Sequence, residues 1–529
     1  MITYTIHSLW RKVFSLSLSP TVFLVCLFLM ACSLDEDPRD QIAEEEAYST
    51  PSALYQNTVA TLYNYIGGYE DGQGLQGTCR GVYDLQTCGS DEAMLPTRGG
   101  DWYDGGLWQD MYRHSWSAGH DLPKNAWLYL YKVITLCNRS LEQLDAHKSL
   151  LTANSLLAYK AEVRALRAIY YWYLLDLFGP VPLITSSDVS MNEVMQSKRD
   201  EVFRFAVAEL QEVSGLLTDE RSAGEGDYYG RVTRPVVLFV LAKLMLNAEV
   251  YSGEPHWAET IAYCDELESL GFDLESQYAA NFDVHNEGSV ENIWVIPMDK
   301  NLYSNQQQNL YRSYHYRHAA AYGFTAENGS CATKRTLEIF GYGTENADNR
   351  LFLNYWTGLV TDLNGEAVND RTGKPLTYHP EAVEMDLSGS PYVETAGARM
   401  KKYAVDKNAT KDGKLMDNDI VLFRHADVLL MRAEAKFRQG DNGQADFDAV
   451  RARAGMPLRP LTLQNLLDER LLELCWEGWR RQDLIRFGQY ESLYTGSDKV
   501  DESDGHTTVF PIPADVMALN HNLVQNPGY

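Results

Sequence analysis

Asp101 and Asp104 stand three residues apart in a stretch, residues 96–108, that also holds Arg98, Trp102, Tyr103, Trp108 and two Gly-Gly pairs. Carboxylates can accept hydrogen bonds from hydroxyls and a guanidinium can donate them, while flat rings stack on apolar faces at low entropic cost. The two aspartates could also be imagined as a glycosidase acid–base pair, but that mechanism depends on their separation in space, which spacing along the chain does not set. Neither a helical nor a strand period runs through the stretch, so it is predicted to be a loop whose glycines permit backbone angles other residues avoid. We read it as a binding surface, with a connection plugged by buried tryptophans as the alternative. The predicted ligand contacts are stacking by Trp102, Tyr103 and Trp108 and polar contacts from Arg98, Asp101 and Asp104. Tyr314, Tyr316 and Trp356, in a second aromatic region, are further candidates, with core packing or a partner-facing surface as the alternative.

Other chemistries find little support. The sequence has no GxSxG elbow, no HExxH and no GxxxxGK[ST] phosphate loop. His315 and His318 lie three apart, but no further ligand is placed by spacing, so no metal site, cofactor or catalytic residue is predicted. The formal charge of -27 argues against nucleic acid, whose phosphates would be repelled. The 33 tyrosines and 11 tryptophans of this acidic chain suit sugar or peptide ligands, although most must pack in a core.

The elements that must position these residues are mostly helical. Residues 1–31 read as an export signal: Arg11 and Lys12 precede an apolar run interrupted by Pro20. The run ends in Leu29, Met30, Ala31 and Cys32, which resembles a bacterial lipobox and makes Cys32 the predicted lipidation site. Residues 32–48 are an acidic tether, resembling surface-export signals of Bacteroidetes lipoproteins. Residues 49–271 are predicted as helical hairpins of TPR-like length interrupted by an aromatic loop at 67–120. Residues 272–529 bring short strands and further helices, packed with the first part as one unit. Within them, single helices are predicted over 421–439 and over 461–487, and a hairpin turn at Asn364 and Gly365. Of the cysteines, Cys79 and Cys88 lie nine positions apart across a glycine-containing loop, where a disulfide is allowed outside the cytosol.

Four separated segments carry a resemblance to a known family. The first is residues 161–168, with Glu162, Arg164 and Arg167 among alanines, closed by Phe178, Gly179 and Pro180. The second runs from Phe423 through Arg424, Asp427 and Arg432 to Ala435. The third holds Glu469, Arg470, Glu473, Glu477, Trp479, Arg480 and Asp483 and ends at Gly488. The fourth is Pro511, Ile512 and Pro513, with Asn526, Pro527 and Gly528 before Tyr529. In this order, behind a lipobox, they resemble the SusD/RagB family of outer-membrane lipoproteins. Glu469, Glu473 and Glu477 are read as structural, on one helix face within reach of Arg480 and Arg481. The resemblance implies a mainly α fold, with TPR-like hairpins on one side and an irregular ligand-facing side. It also implies a SusC-type TonB-dependent transporter as partner and capture of oligosaccharides, or in some members peptides, by aromatic loops. A surface hydrolase is the competing reading from another class.

Overall fold

The computed structural model describes residues 47–68, 70–302, 305–409, 413–491 and 505–529, and Thr50–Tyr529 forms one unit. The export signal, Cys32 and most of the acidic tether lie outside the described residues. Helices dominate. The first begins at Pro51, where Thr50 Oγ1 accepts the Ala53 N–H at 3.1 Å, and helical residues continue to Gly67 before Gly68 (φ 71°) ends them.

Helix Asp121–Ala146 packs against Ala153–Phe178, which packs in turn against Arg199–Ser214. Thr152 caps the second of these through the Ser155 N–H at 3.1 Å, and Gly179 (φ 70°) terminates it. From Ala161 onward nearly every residue of that helix is buried, because it is packed on several sides. Helices Arg234–Leu246, Trp257–Ser269 and His425–Arg438 extend the same stack of hairpins, the TPR-like frame of the molecule.

Two predicted helices are corrected. Residues 420–424 form a strand, Ile420–Arg424, paired antiparallel with Asn292–Ile296, and the helix starts only at His425. β-Branched Ile420 and Val421 favour that pairing. The helix predicted over 461–487 is two, Leu463–Leu474 and Arg480–Arg486, because Trp476 (φ 64°) and Gly478 (φ 76°) turn the chain between them.

That break redirects the charges. Glu477 pairs with Arg424 (2.8 Å) and Lys402 (2.5 Å), not with the two arginines that follow it. Arg480 reaches Asp91 (2.6 Å) and Arg481 reaches Asp176 (3.1 Å). Glu469 and Glu473 meet Arg350 at 2.8 and 2.7 Å, and Arg424 also holds Glu291 at 2.7 Å, all fully buried. Burial alone would raise the Glu473 pKa; the charges of Arg453, Arg424 and Arg350 hold it well below the ordinary carboxylate range. The structural reading of these glutamates therefore stands, with different partners.

The network reaches the aromatic region. That region, predicted as a loop, contains helices Val82–Thr87 and Leu107–Arg113 and a strand, Ala93–Met94, paired with Cys331–Ala332. Asp91 ties it to Arg480, and Asp84 ties it to Arg312 at 2.6 Å with both side chains buried. Among the described residues no helix is long and apolar enough to cross a membrane.

Candidate functional site

A recess of about 480 Å³ opens where residues 71–80 and 100–104 meet residues 308–327. That volume lies within the roughly 300–1,000 Å³ of small-molecule sites. Gly99 and Gly100 form the tip of a hairpin turn: Arg98 and Asp101 exchange backbone hydrogen bonds of 2.9 and 3.2 Å. The turn delivers Asp101 and Trp102 to the recess. Trp102 Nε1 donates to the Glu327 carbonyl at 3.0 Å, and its ring lies against Gly329. A Cβ added at residue 329 would sit 2.7 Å from the indole, so the close approach requires glycine.

Three recess residues, Arg80 (φ 63°), Trp102 (φ 61°) and Asp104 (φ 44°), adopt the left-handed conformation. Each such residue costs of order 1–3 kcal/mol and persists only where its surroundings enforce it. Here the enforcement is visible. The Arg80 N–H donates to Asp84 (2.6 Å), its guanidinium donates to Asp104 Oδ2 (2.7 Å), and Trp108 Nε1 donates to the same oxygen (2.9 Å). Arg80 and Arg312 lie over the Trp108 ring, at 5.5 and 5.6 Å from its centroid. Burial alone would lower the Arg80 pKa; the hydrogen bond and charge of Asp104, with Asp71 behind them, raise it. Across the recess the Tyr316 hydroxyl donates to Asp101 Oδ2 at 2.8 Å; burial and then Asp101 push the Tyr316 pKa up to about 12.

The site residues predicted from sequence thus divide. Asp101, Trp102 and Asp104 line the recess together with Tyr316. Tyr103, 54% exposed, is their chain neighbour on the surface. Trp108 is corrected: at 1% exposure on helix Leu107–Arg113 it supports Asp104 and Trp102 from below, edge-on to Trp102 at 6.3 Å, and offers no face to a ligand. Arg98 is corrected as well. Its buried guanidinium donates to the carbonyls of Gly329, Val393 and Ala396, which satisfies it within the protein. Tyr314 is fully buried and Trp356 lines a different recess. Cys79 and Cys88 are both free, buried thiols: Cys79 Sγ lies 2.7 Å from Gln308 Oε1, while Cys88 closes the helix Val82–Thr87 beside Asp84.

His315 and His318 are held by structure. His315 accepts the Arg317 N–H at Nδ1 and meets Glu394 at Nε2; His318 meets the Tyr378 hydroxyl. Burial first, then neighbouring positive groups, push them down to about 4 and about 3.

Sequence reasoning missed Asp71, Arg80, Glu327 and Lys414, all lining the recess. The available signal was Arg80 enclosed by Gly77 and Gly81, a second glycine-framed charge like Asp104 before Gly105.

A frame of helical hairpins carrying a polar, aromatic recess on its irregular face defines a class of scaffold, and comparison with known proteins identifies which. The chain belongs to the SusD/RagB family: the SusD family model matches residues 282–529, and a model described as "starch-binding associating with outer membrane" matches residues 86–246. It is 28% identical over 499 residues, 87% of each chain, to the starch-binding protein SusD of Bacteroides thetaiotaomicron. It is 24% identical, over 86% of each chain, to the SusD-like protein P25 of Formosa agariphila. Its fold is similar to a laminarin-binding SusD-like protein (TM-score 0.70, 22% identity, 91% of this chain and 100% of the other). It is also similar to surface glycan-binding protein A of B. thetaiotaomicron in complex with laminarihexaose (TM-score 0.69, 21% identity, 90% and 99%).

Proposed function

We propose that this protein is a cell-surface glycan-binding lipoprotein, anchored in the outer membrane through Cys32, that captures an oligosaccharide and passes it to a TonB-dependent transporter of the SusC type. The observation that carries the reading is the half-buried Trp102 ring, fixed by Glu327 and Gly329, beside hydrogen-bonding groups of both kinds from Arg80, Asp104, Asp101 and Tyr316. A sugar presents apolar C–H faces to a ring and hydroxyls that both donate and accept, and this recess complements both. Relatives named for starch and for laminarin, both polymers of glucose, support a glucan as ligand. The outer-membrane description of one family model supports the location.

The state of the carboxylates supports binding over cleavage. Asp101 is engaged by Tyr316, and Asp104 by Arg80 and Trp108, so both are committed as acceptors. The test is titration calorimetry with maltohexaose, laminarihexaose and a peptide panel, with recovery of the ligand afterwards. The expected result is glucan binding that Trp102→Ala and Arg80→Ala each weaken roughly tenfold, from about 1.4 kcal/mol of lost stacking or charge-assisted bonding, with the ligand intact. Unchanged affinity in both folded variants would remove this recess from the account; binding of peptides alone, or a cleaved glucan, would replace it.

A further inference from the structure

Trp356 lies in a second recess, of about 460 Å³, which shares no lining residue with the first. Strand Tyr355–Trp356 pairs with Arg399–Met400 and brings the indole beside Lys401, the next residue of the partner strand's chain. The ring is held before any ligand arrives. Its Nε1 donates to the Tyr314 hydroxyl at 2.7 Å, and His318 packs against it at 4.9 Å and 82°. Tyr322, also half-buried, stands at 68° to it with centroids 6.2 Å apart, so the two rings make an aromatic corner facing the recess.

Lys401 sets the chemistry of this corner. Its Nζ lies 4.3 Å from the Trp356 ring centroid and donates to the Phe352 carbonyl at 2.7 Å. It has no carboxylate within ion-pair distance among the described residues. Lys407, on the rim, has none either. The fully buried lysines do: Lys243 meets Asp427 at 2.7 Å and Lys402 meets Glu477 at 2.5 Å. Of the two carboxylates that line the recess, Asp406 is paired with Lys300 and accepts the Asn408 N–H, while Asp283 accepts the Val284 N–H and has no cationic partner among the described residues. A half-buried ammonium without a counter-charge is unfavourable, and burial lowers the Lys401 pKa with no opposing charge to restore it. Among the described residues, the other cations that lie over a tryptophan ring, Arg80, Arg312, Lys243 and Arg438, each have a carboxylate partner, and Lys401 does not.

We propose that this second recess binds an acidic sugar, its ring against the Trp356–Tyr322 corner and its carboxylate or sulfate at Lys401. The inference is independent of the first recess. It is tested on the full chain by titration with a galacturonate hexasaccharide, a sulfated carrageenan hexasaccharide and neutral laminarihexaose. The wild type is compared with Lys401→Met, Lys401→Arg and Trp102→Ala. The expected result is that at least one acidic ligand binds, losing roughly tenfold or more in Lys401→Met, retaining affinity in Lys401→Arg and in Trp102→Ala, and weakening with added salt. Which acidic ligand binds identifies the anion. Lys401→Met keeps the aliphatic stem and removes one side-chain hydrogen bond, and thermal melting verifies its fold. No acidic binding at millimolar concentration, equal affinity in Lys401→Met, or loss in Trp102→Ala would each overturn the proposal.

Discussion

Gly329→Ala is the perturbation that probes the Trp102 platform without touching a ligand contact. Residue 329 does not have a positive φ, so alanine meets no backbone penalty there. The whole effect is steric: the new Cβ would lie 2.7 Å from Trp102 Cε2 and Cζ2, against 3.4 Å for ordinary contact. The indole must therefore retreat by about 0.7 Å, and it cannot do so freely. Its Nε1 is tied to Glu327 at 3.0 Å and its edge to the buried Trp108. Overpacking of this kind costs about 1–3 kcal/mol, divided between the fold and the displaced ring. We predict glucan affinity lower by roughly five- to thirtyfold and a small fall in Tm, read by calorimetry and thermal melting. In a double-mutant cycle with Trp102→Ala, Gly329→Ala should have little further effect, because the ring it displaces is gone. Wild-type affinity in Gly329→Ala, or full additivity with Trp102→Ala, would refute the claim that Gly329 acts through Trp102.

Other variants separate frame from site. Trp108→Ala should destabilise the protein by about 3–5 kcal/mol in urea denaturation, since it empties a buried site that anchors Asp104, Arg80 and Arg312. Glu92, pushed up to about 8 mainly by burial against an ordinary 4.5, keeps its proton in the fold and releases it when unfolded. The stability it contributes is fully present below about 4.5 and is lost as pH rises through 8, so stability slopes downward between them. Glu92→Gln should flatten that slope, shifting the variant-minus-wild-type unfolding free energy by about 2–4 kcal/mol between pH 5 and 8; a constant difference would contradict it. Cys79 and Cys88 should resist thiol reagents in the folded protein, react on unfolding, and show no linking disulfide in a non-reduced peptide map.

Much of the frame was legible because helices announce themselves locally. Gly179 and Pro180 mark the end of helix Ala153–Phe178 in the sequence as in the structure. The errors fall where long-range pairing overrides local pattern. Val421 reads as the start of a helix, yet its partner lies in strand Asn292–Ile296. Glu477 reads as a neighbour of Arg480, yet a left-handed Trp476 turns it toward Arg424 and Lys402. The recess was half legible. Glycines flag the turn that presents Asp101 and Trp102, but burial of Trp108 and Arg98 follows from segments 200 to 300 residues away in sequence, such as Arg312 and Ala396. Arg80 was missed because its role depends on Asp104, which only the fold brings to its guanidinium.

The central claim is that Trp102 and its polar neighbours form the glycan platform, and a crystal structure with a glucan hexasaccharide tests it most directly. The account predicts a pyranose face stacked on Trp102, with hydroxyls in hydrogen-bond distance of Arg80, Asp104 or Asp101. A neutral hexasaccharide bound elsewhere, with the Trp102 recess empty, would contradict it.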